Sequence, residues 1–256
     1  MGLWPVVIDL RPVRMDLPYG EQGPLTRTLR PRDNARPREN VRAELRHHHD
    51  QDPDVSAPTA DRHPLEDYQV LLCVCGGIAA YKTATVVSRL VQQGCGVTVA
   101  MTRHARRFVG PTTFRALSGR PVLTSMWHGD DPAALTHLRP SESADLLVVA
   151  PATANIIGKL AGGIADDLVS SLLLGAACPV LLAPAMNTRM WQHPAVQRNV
   201  AFLRDSGFIL VGPETGWLAC GTAGPGRMTE PDVLTAAISE QLLCQTPKSR
   251  PPESTS

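Results

Sequence analysis

Short apolar runs alternate with amphipathic stretches from residue 67 to residue 243. Residues 69–75, QVLLCVC, are almost continuously apolar, as a strand covered on both faces requires. Gly76 and Gly77 end that run, and the spacing over 78–93 predicts a helix that stops at Gly94. GVTVAMT at 96–102 predicts a second strand, with helical patterns at 105–109 and 112–117. Two more buried strands are expected at 145–151 and 179–184, with helices over 154–160, 167–176 and 194–206. FILVGP at 208–213 closes the sheet, and 231–243 predicts a last helix. Such alternation implies an α/β, Rossmann-like (flavodoxin-like) three-layer sandwich with a mainly parallel sheet and right-handed crossovers. Ligands in these sheets lie beyond the carboxyl ends of the strands.

The flanks read differently. Residues 1–66 are dense in Pro, Arg, Asp and Glu, with one strand-like stretch at 6–10, and bury too little apolar surface to offset their ordering entropy. The expected organisation is a disordered extension over 1–66, one domain over 67–243 and a disordered polar tail over 244–256. His47-His48-His49 reads either as a metal ligand or as a solvated polar tract, and with no ligand cluster nearby the tract is preferred.

A net charge of +1 lacks the basic excess of a duplex-DNA binder, so no nucleic-acid partner is expected. No segment approaches the roughly 20 apolar residues that cross a bilayer. Asp9, Arg11 and Arg14 interrupt the beginning before a signal-peptide core forms. A soluble protein without a membrane partner is the expectation. Cys73, Cys75, Cys95, Cys178, Cys220 and Cys244 form neither a paired zinc pattern nor a small disulfide framework, which suits a reducing cytoplasm.

Four segments fall at strand ends. In CGGIAAYK (75–82), two glycines between strand and helix let N–H groups approach a phosphate; a plain tight turn is the alternative. Thr102, ending the next strand, offers a hydroxyl to the same ligand. In APATANIIGKLAGGIADDL (150–168), Thr153 and Asn155 suit either a helix cap or a ligand. In APAMNTRMW (183–191), the Asn187 amide follows a buried strand and can donate to a carboxylate, while Met186 and Trp191 read as packing. LACGTAGPGRM (218–228) shows no helix or strand periodicity and has the composition of a mobile flap carrying Cys220. His137, eight residues before Asp145, reads as structural or catalytic.

Together these segments resemble the flavin-containing cysteine decarboxylases, in particular those acting on phosphopantothenoylcysteine. The resemblance covers about residues 69–242. Pro184, Met186, Asn187, Met190 and Trp191 match a PxMNxxMW motif at every fixed position, ACGTAGPGRM matches the substrate-recognition flap, and the two remaining segments match flavin-binding segments. The resemblance implies FMN, with its phosphate at Gly76, Gly77 and Ile78 and contacts from Thr102, Thr153, Ala154, Asn155 and Ala185. It implies His137 as base, Asn187 as the carboxylate-holding residue and Cys220 as acid, with Met190 and Ala219 also meeting substrate. It further implies decarboxylation of 4′-phosphopantothenoylcysteine to 4′-phosphopantetheine through thioaldehyde and enethiolate intermediates. Homotrimers or dodecamers with sites between subunits are expected.

One position departs from the pattern. A basic residue usually stands five places after the histidine; here Glu142 stands there, with Arg139 as a candidate substitute. The chain also stops short of the synthetase domain of bifunctional bacterial members. Two rivals share the fold: a decarboxylase of peptidyl C-terminal cysteine, and a non-catalytic flavoprotein regulatory subunit. A NAD-dependent oxidoreductase lacks its full fingerprint here.

Overall fold

The computed structural model describes residues 63–126 and 139–248. Its framework follows from the apolar runs. β1 (Gln69–Val74) pairs in parallel with β2 (Gly96–Met101) on one side and β3 (Leu146–Ala152) on the other. β4 (Val180–Pro184) and β5 (Ile209–Leu210) extend the sheet, also in parallel, giving the order β2-β1-β3-β4-β5. Alternate β1 side chains enter opposite layers. Val70, Leu72 and Val74 pack with Val86, Val87 and Leu90 of α1 (Ala80–Gln92), Phe114 of α2 (Pro111–Ser118), and Leu234 and Ile238 of α8, the last helix (Pro231–Leu243). Leu71 and Cys73 face the other layer, with Ile156 and Ile157 of α4 (Ala154–Ala161), Val169 and Leu172 of α5 (Leu168–Leu174), and Leu203 of α7 (Pro194–Asp205). This is the expected three-layer α/β arrangement.

Local differences have physical causes. The helical pattern at 105–109 is a single 3-10 turn, Ala105–Arg107. The predicted strand FILVGP keeps only two paired residues in β5, at the sheet edge. Residues 218–228, read as a mobile flap without strand periodicity, form part of a hairpin: β6 (Glu214–Trp217) pairs antiparallel with β7 (Ala223–Arg227). Its glycines hide the strand period.

The packed chain runs past 67–243 on both sides. Leu65 is fully buried and its N–H donates to the Gln93 carbonyl. Beyond α8, Gln245 Nε2 donates to the Asp145 carbonyl, and Lys248 N–H donates to Asp145 Oδ1. Asp145 is itself buried, and its Oδ2 accepts from the Gln69 N–H at 2.7 Å. One carboxylate thus ties the start of β1, the start of β3 and the chain after α8. Asp145→Ala strands two N–H donors and is expected to lower unfolding free energy by about 1–3 kcal/mol. Urea denaturation checks this, and an unchanged midpoint would show the latch to be dispensable.

His47–His49 and His137 lie outside the described residues, as does the Arg139 side chain. Glu142 is exposed on α3 (Arg139–Ser143), which leads into the amino end of β3, opposite the strand ends where ligands bind. No helix among the described residues is long and apolar enough to cross a membrane.

Candidate functional site

A mostly apolar cavity of about 770 Å³ opens at the carboxyl ends of β1, β3 and β4, a size that suits a bound small molecule. Three strand-to-helix connections and the β6–β7 hairpin enclose it. Of the residues expected to bind the cofactor, Gly76, Gly77, Ile78, Thr153, Ala154, Asn155 and Ala185 line it. Thr102 does not; its Oγ1 accepts from Ala105 N–H at 3.2 Å and closes the 3-10 turn. That turn carries His104, against which Gly76 lies so closely that a Cβ at Gly76 would overlap the His104 side chain.

Around the glycines, Gly77 N–H turns back to the Cys75 carbonyl, and Ala80 N–H to that of Gly77. The Ile78 and Ala79 N–H groups have no partner among the described residues. Neither α1 nor α4 has a side-chain cap: Thr153 occupies the N-cap position of α4 but makes no capping bond. By contrast, Asp167, Asn187 and His193 cap α5, α6 (Thr188–Trp191) and α7. Two helix N-termini with open donors, an uncommitted threonine hydroxyl and apolar walls fit a planar aromatic group with a phosphate end. Cys75, behind the loop, is buried, and burial pushes its thiol up to about 12, so it remains protonated and inert.

Across the cavity, Asn187 and Cys220 come together although 33 residues separate them. Asn187 Oδ1 accepts from Arg189 N–H at 2.8 Å, which turns Nδ2 toward Cys220 Sγ at 3.1 Å. Cys220 sits at the hairpin tip, exposed, with Thr222 Oγ1 also 3.1 Å from its sulfur. The Thr222 hydroxyl first, then the Thr222 backbone and the Asn187 amide, holds this thiol below its ordinary value. Met190 and Ala219 line the same cavity. The hairpin is held there by close backbone contact. Met186 N–H donates to the Gly226 carbonyl at 2.9 Å, and Gly224 lies directly against Thr188.

Lys82 and Arg227 also line the cavity and were not singled out by the sequence reading. Lys82 is buried, and its Nζ donates to the Met228 carbonyl at 3.1 Å and to Glu230 Oε1 at 3.0 Å. Arg227 pairs with the same carboxylate oxygen. Lys82, and then Arg227, keeps the Glu230 carboxyl below its usual range. This network joins α1 to the hairpin base. The available signal was Lys82 itself, a cation in the first turn of the helix that opens after the glycine loop.

The sequence model of the Flavoprotein family matches residues 58–243. A coenzyme A biosynthesis bifunctional protein CoaBC of Bacillus subtilis is 51% identical over 182 residues, which are 71% of this chain and 45% of that protein. The chain therefore spans less than half the length of this relative. Among solved structures, a PPC decarboxylase mutant complexed with pantothenoylaminoethenethiol superposes with a TM-score of 0.59 at 30% identity, over 67% of this chain and 96% of that one. The FMN-dependent cysteine decarboxylase SpaF gives a TM-score of 0.59 at 36% identity, over 70% and 97%.

Proposed function

Since the chain belongs to the Flavoprotein family, we propose that it is an FMN-dependent decarboxylase converting 4′-phosphopantothenoylcysteine to 4′-phosphopantetheine in coenzyme A biosynthesis. The observation that carries this reading is the Asn187–Cys220 pair, an oriented amide donor and an acidified thiol 3.1 Å apart at the cavity wall. Support also comes from relatives whose names specify coenzyme A biosynthesis and PPC decarboxylation.

In this reading Gly76, Gly77 and Ile78 hold the FMN phosphate with the start of α1, while Thr153, Ala154, Asn155 and Ala185 hold the remainder. Thr102 contributes by fixing the turn behind Gly76. When bound, FMN supplies a two-electron acceptor that takes up and returns reducing equivalents. Asn187 Nδ2 orients the substrate carboxylate. Oxidation of the substrate thiol to a thioaldehyde sets that carboxylate β to a C=S group, which accepts the electron pair as CO2 leaves. Cys220 then gives its proton to the carbon that lost CO2. His137 is assigned the role of base in the first oxidation.

The reading includes a homotrimer, or a dodecamer of such trimers, with the site between subunits. Ile78, Tyr81, Met190 and Trp217 line the cavity yet are 57%, 59%, 49% and 68% exposed, an apolar rim suited to cover by a neighbour.

Mass spectrometry of the purified protein with phosphopantothenoylcysteine tests the reading. The expected product is lighter by one CO2, with no oxidised product accumulating. If flavin-loaded protein ignores this substrate and decarboxylates a peptide ending in cysteine, the substrate assignment falls. Inactivity toward both leaves the regulatory-subunit alternative.

A further inference from the structure

The hairpin tip is closed by Thr222 twice. Leu218 N–H donates to the Thr222 carbonyl at 2.9 Å, Gly221 N–H donates to the Leu218 carbonyl at 2.9 Å, and Gly221 has φ +79°, which lets the chain reverse. This turn brings the Thr222 hydroxyl and the Cys220 sulfur to 3.1 Å.

The two side-chain neighbours of the sulfur, Asn187 and Thr222, are not equivalent. Asn187 presents only its Nδ2 donor, because Oδ1 accepts from Arg189 N–H on the other side. An amide NH2 cannot accept the S–H proton. A hydroxyl can accept or donate, according to how it rotates. While Cys220 is a thiol, Thr222 Oγ1 is therefore the neighbour able to receive its S–H. Once the proton has gone, the same hydroxyl turns and donates to the thiolate, beside Asn187.

We propose that Thr222 is a positioning residue for Cys220, aiming its S–H in the protonated state and stabilising the thiolate after proton transfer. The inference rests on the reading of Cys220 as the acid. It also gives position 222 a role in matching the acid to its working pH, since an acid transfers best when its pKa lies near that pH.

The test uses the purified, flavin-loaded, full-length protein. Alkylation by iodoacetamide is followed against pH and read at each cysteine by peptide mass spectrometry, because the thiolate is the reacting species. Cys244, also exposed, serves as an internal reference in the same digest. In Thr222→Val, alkylation of Cys220 at neutral pH is expected to slow several-fold and its rise to move to higher pH, with Cys244 unchanged. Thr222→Ser should restore the parent profile. Coincident Cys220 profiles for parent and Thr222→Val would overturn the proposal, as would a Thr222→Ser variant behaving like valine.

The pH dependence of turnover separates this proposal from the functional reading. An acid must carry its proton, so the rate falls as pH rises through the thiol pKa. Thr222→Val should move that fall to higher pH. Shifted alkylation with an unmoved alkaline fall upholds the Thr222–Cys220 coupling and removes Cys220 from the acid role.

Discussion

Cys220→Ser is expected to keep its flavin, release CO2 once per site and then stall, with steady-state formation of reduced product down about 10²–10⁴-fold. Serine is close in shape to cysteine and can still meet Asn187 Nδ2 and Thr222 Oγ1, so the hairpin and cavity should be undisturbed. Acidity is what changes, because an alcohol holds its proton far more tightly than a thiol that Thr222 and Asn187 already make acidic. Steps before the proton transfer should proceed, leaving a product lighter than substrate by CO2 and two hydrogens. An anaerobic single turnover, quenched and weighed by mass spectrometry, should find this species at about one equivalent per flavin. Complete conversion to the fully reduced product would show that another group supplies the proton.

Gly226→Ala should be the most damaging change that touches no reacting group. Gly226 has φ +131°, and a Cβ there would overlap the Met186 carbonyl oxygen, a backbone atom that cannot swing aside. The same residue accepts from Met186 N–H, so relieving the clash breaks the bond that holds β7 to the Asn187 segment. Backbone strain of this kind costs about 1–3 kcal/mol. At roughly 1.4 kcal/mol per tenfold, the docked hairpin becomes about 5–150 times less favoured. The expected result is a raised KM, a lower kcat and faster tryptic cleavage after Arg227, with little change in unfolding of the main sheet. Gly110→Ala is the control: at φ −73° and ψ 147°, with nothing within 4 Å of an added Cβ, it should behave like the parent. Parent-like kinetics in Gly226→Ala would mean that docking of the hairpin is not required.

The central strands β1, β3 and β4 were legible because burial on both faces demands unbroken apolar runs, and Leu71–Val74 or Leu146–Val149 supply them, whereas β5 at the edge keeps only two half-buried residues of its apolar run. The hairpin was not, because proximity rather than alternation chose its residues. Gly224 and Gly226 are small so that β7 can lie against Thr188 and Met186, and that requirement erases the period-two signal. The tail to Lys248 escaped notice because scattered hydrogen bonds to Asp145, Tyr68, Glu142 and Ala177 anchor it, which leaves no periodic trace. At the site, motif resemblance brought out the glycine loop, Thr153, Asn187 and Cys220. It did not reveal that Lys82 reaches the hairpin base, or that a side-chain hydroxyl two residues along touches the Cys220 sulfur.

The Asp145 latch has a practical consequence. Gln69, Asp145 and Lys248 meet at the amino ends of the strands, and Leu65 joins the chain there too, beside Gln93 at the end of α1. The cavity opens at the opposite ends. A tether fused at either border of the packed region would therefore leave from the floor of the sheet. Molecules bound to a sensor surface in this way would hold their openings toward the flowing solution, and an appended fluorescent reporter would sit away from the entrance.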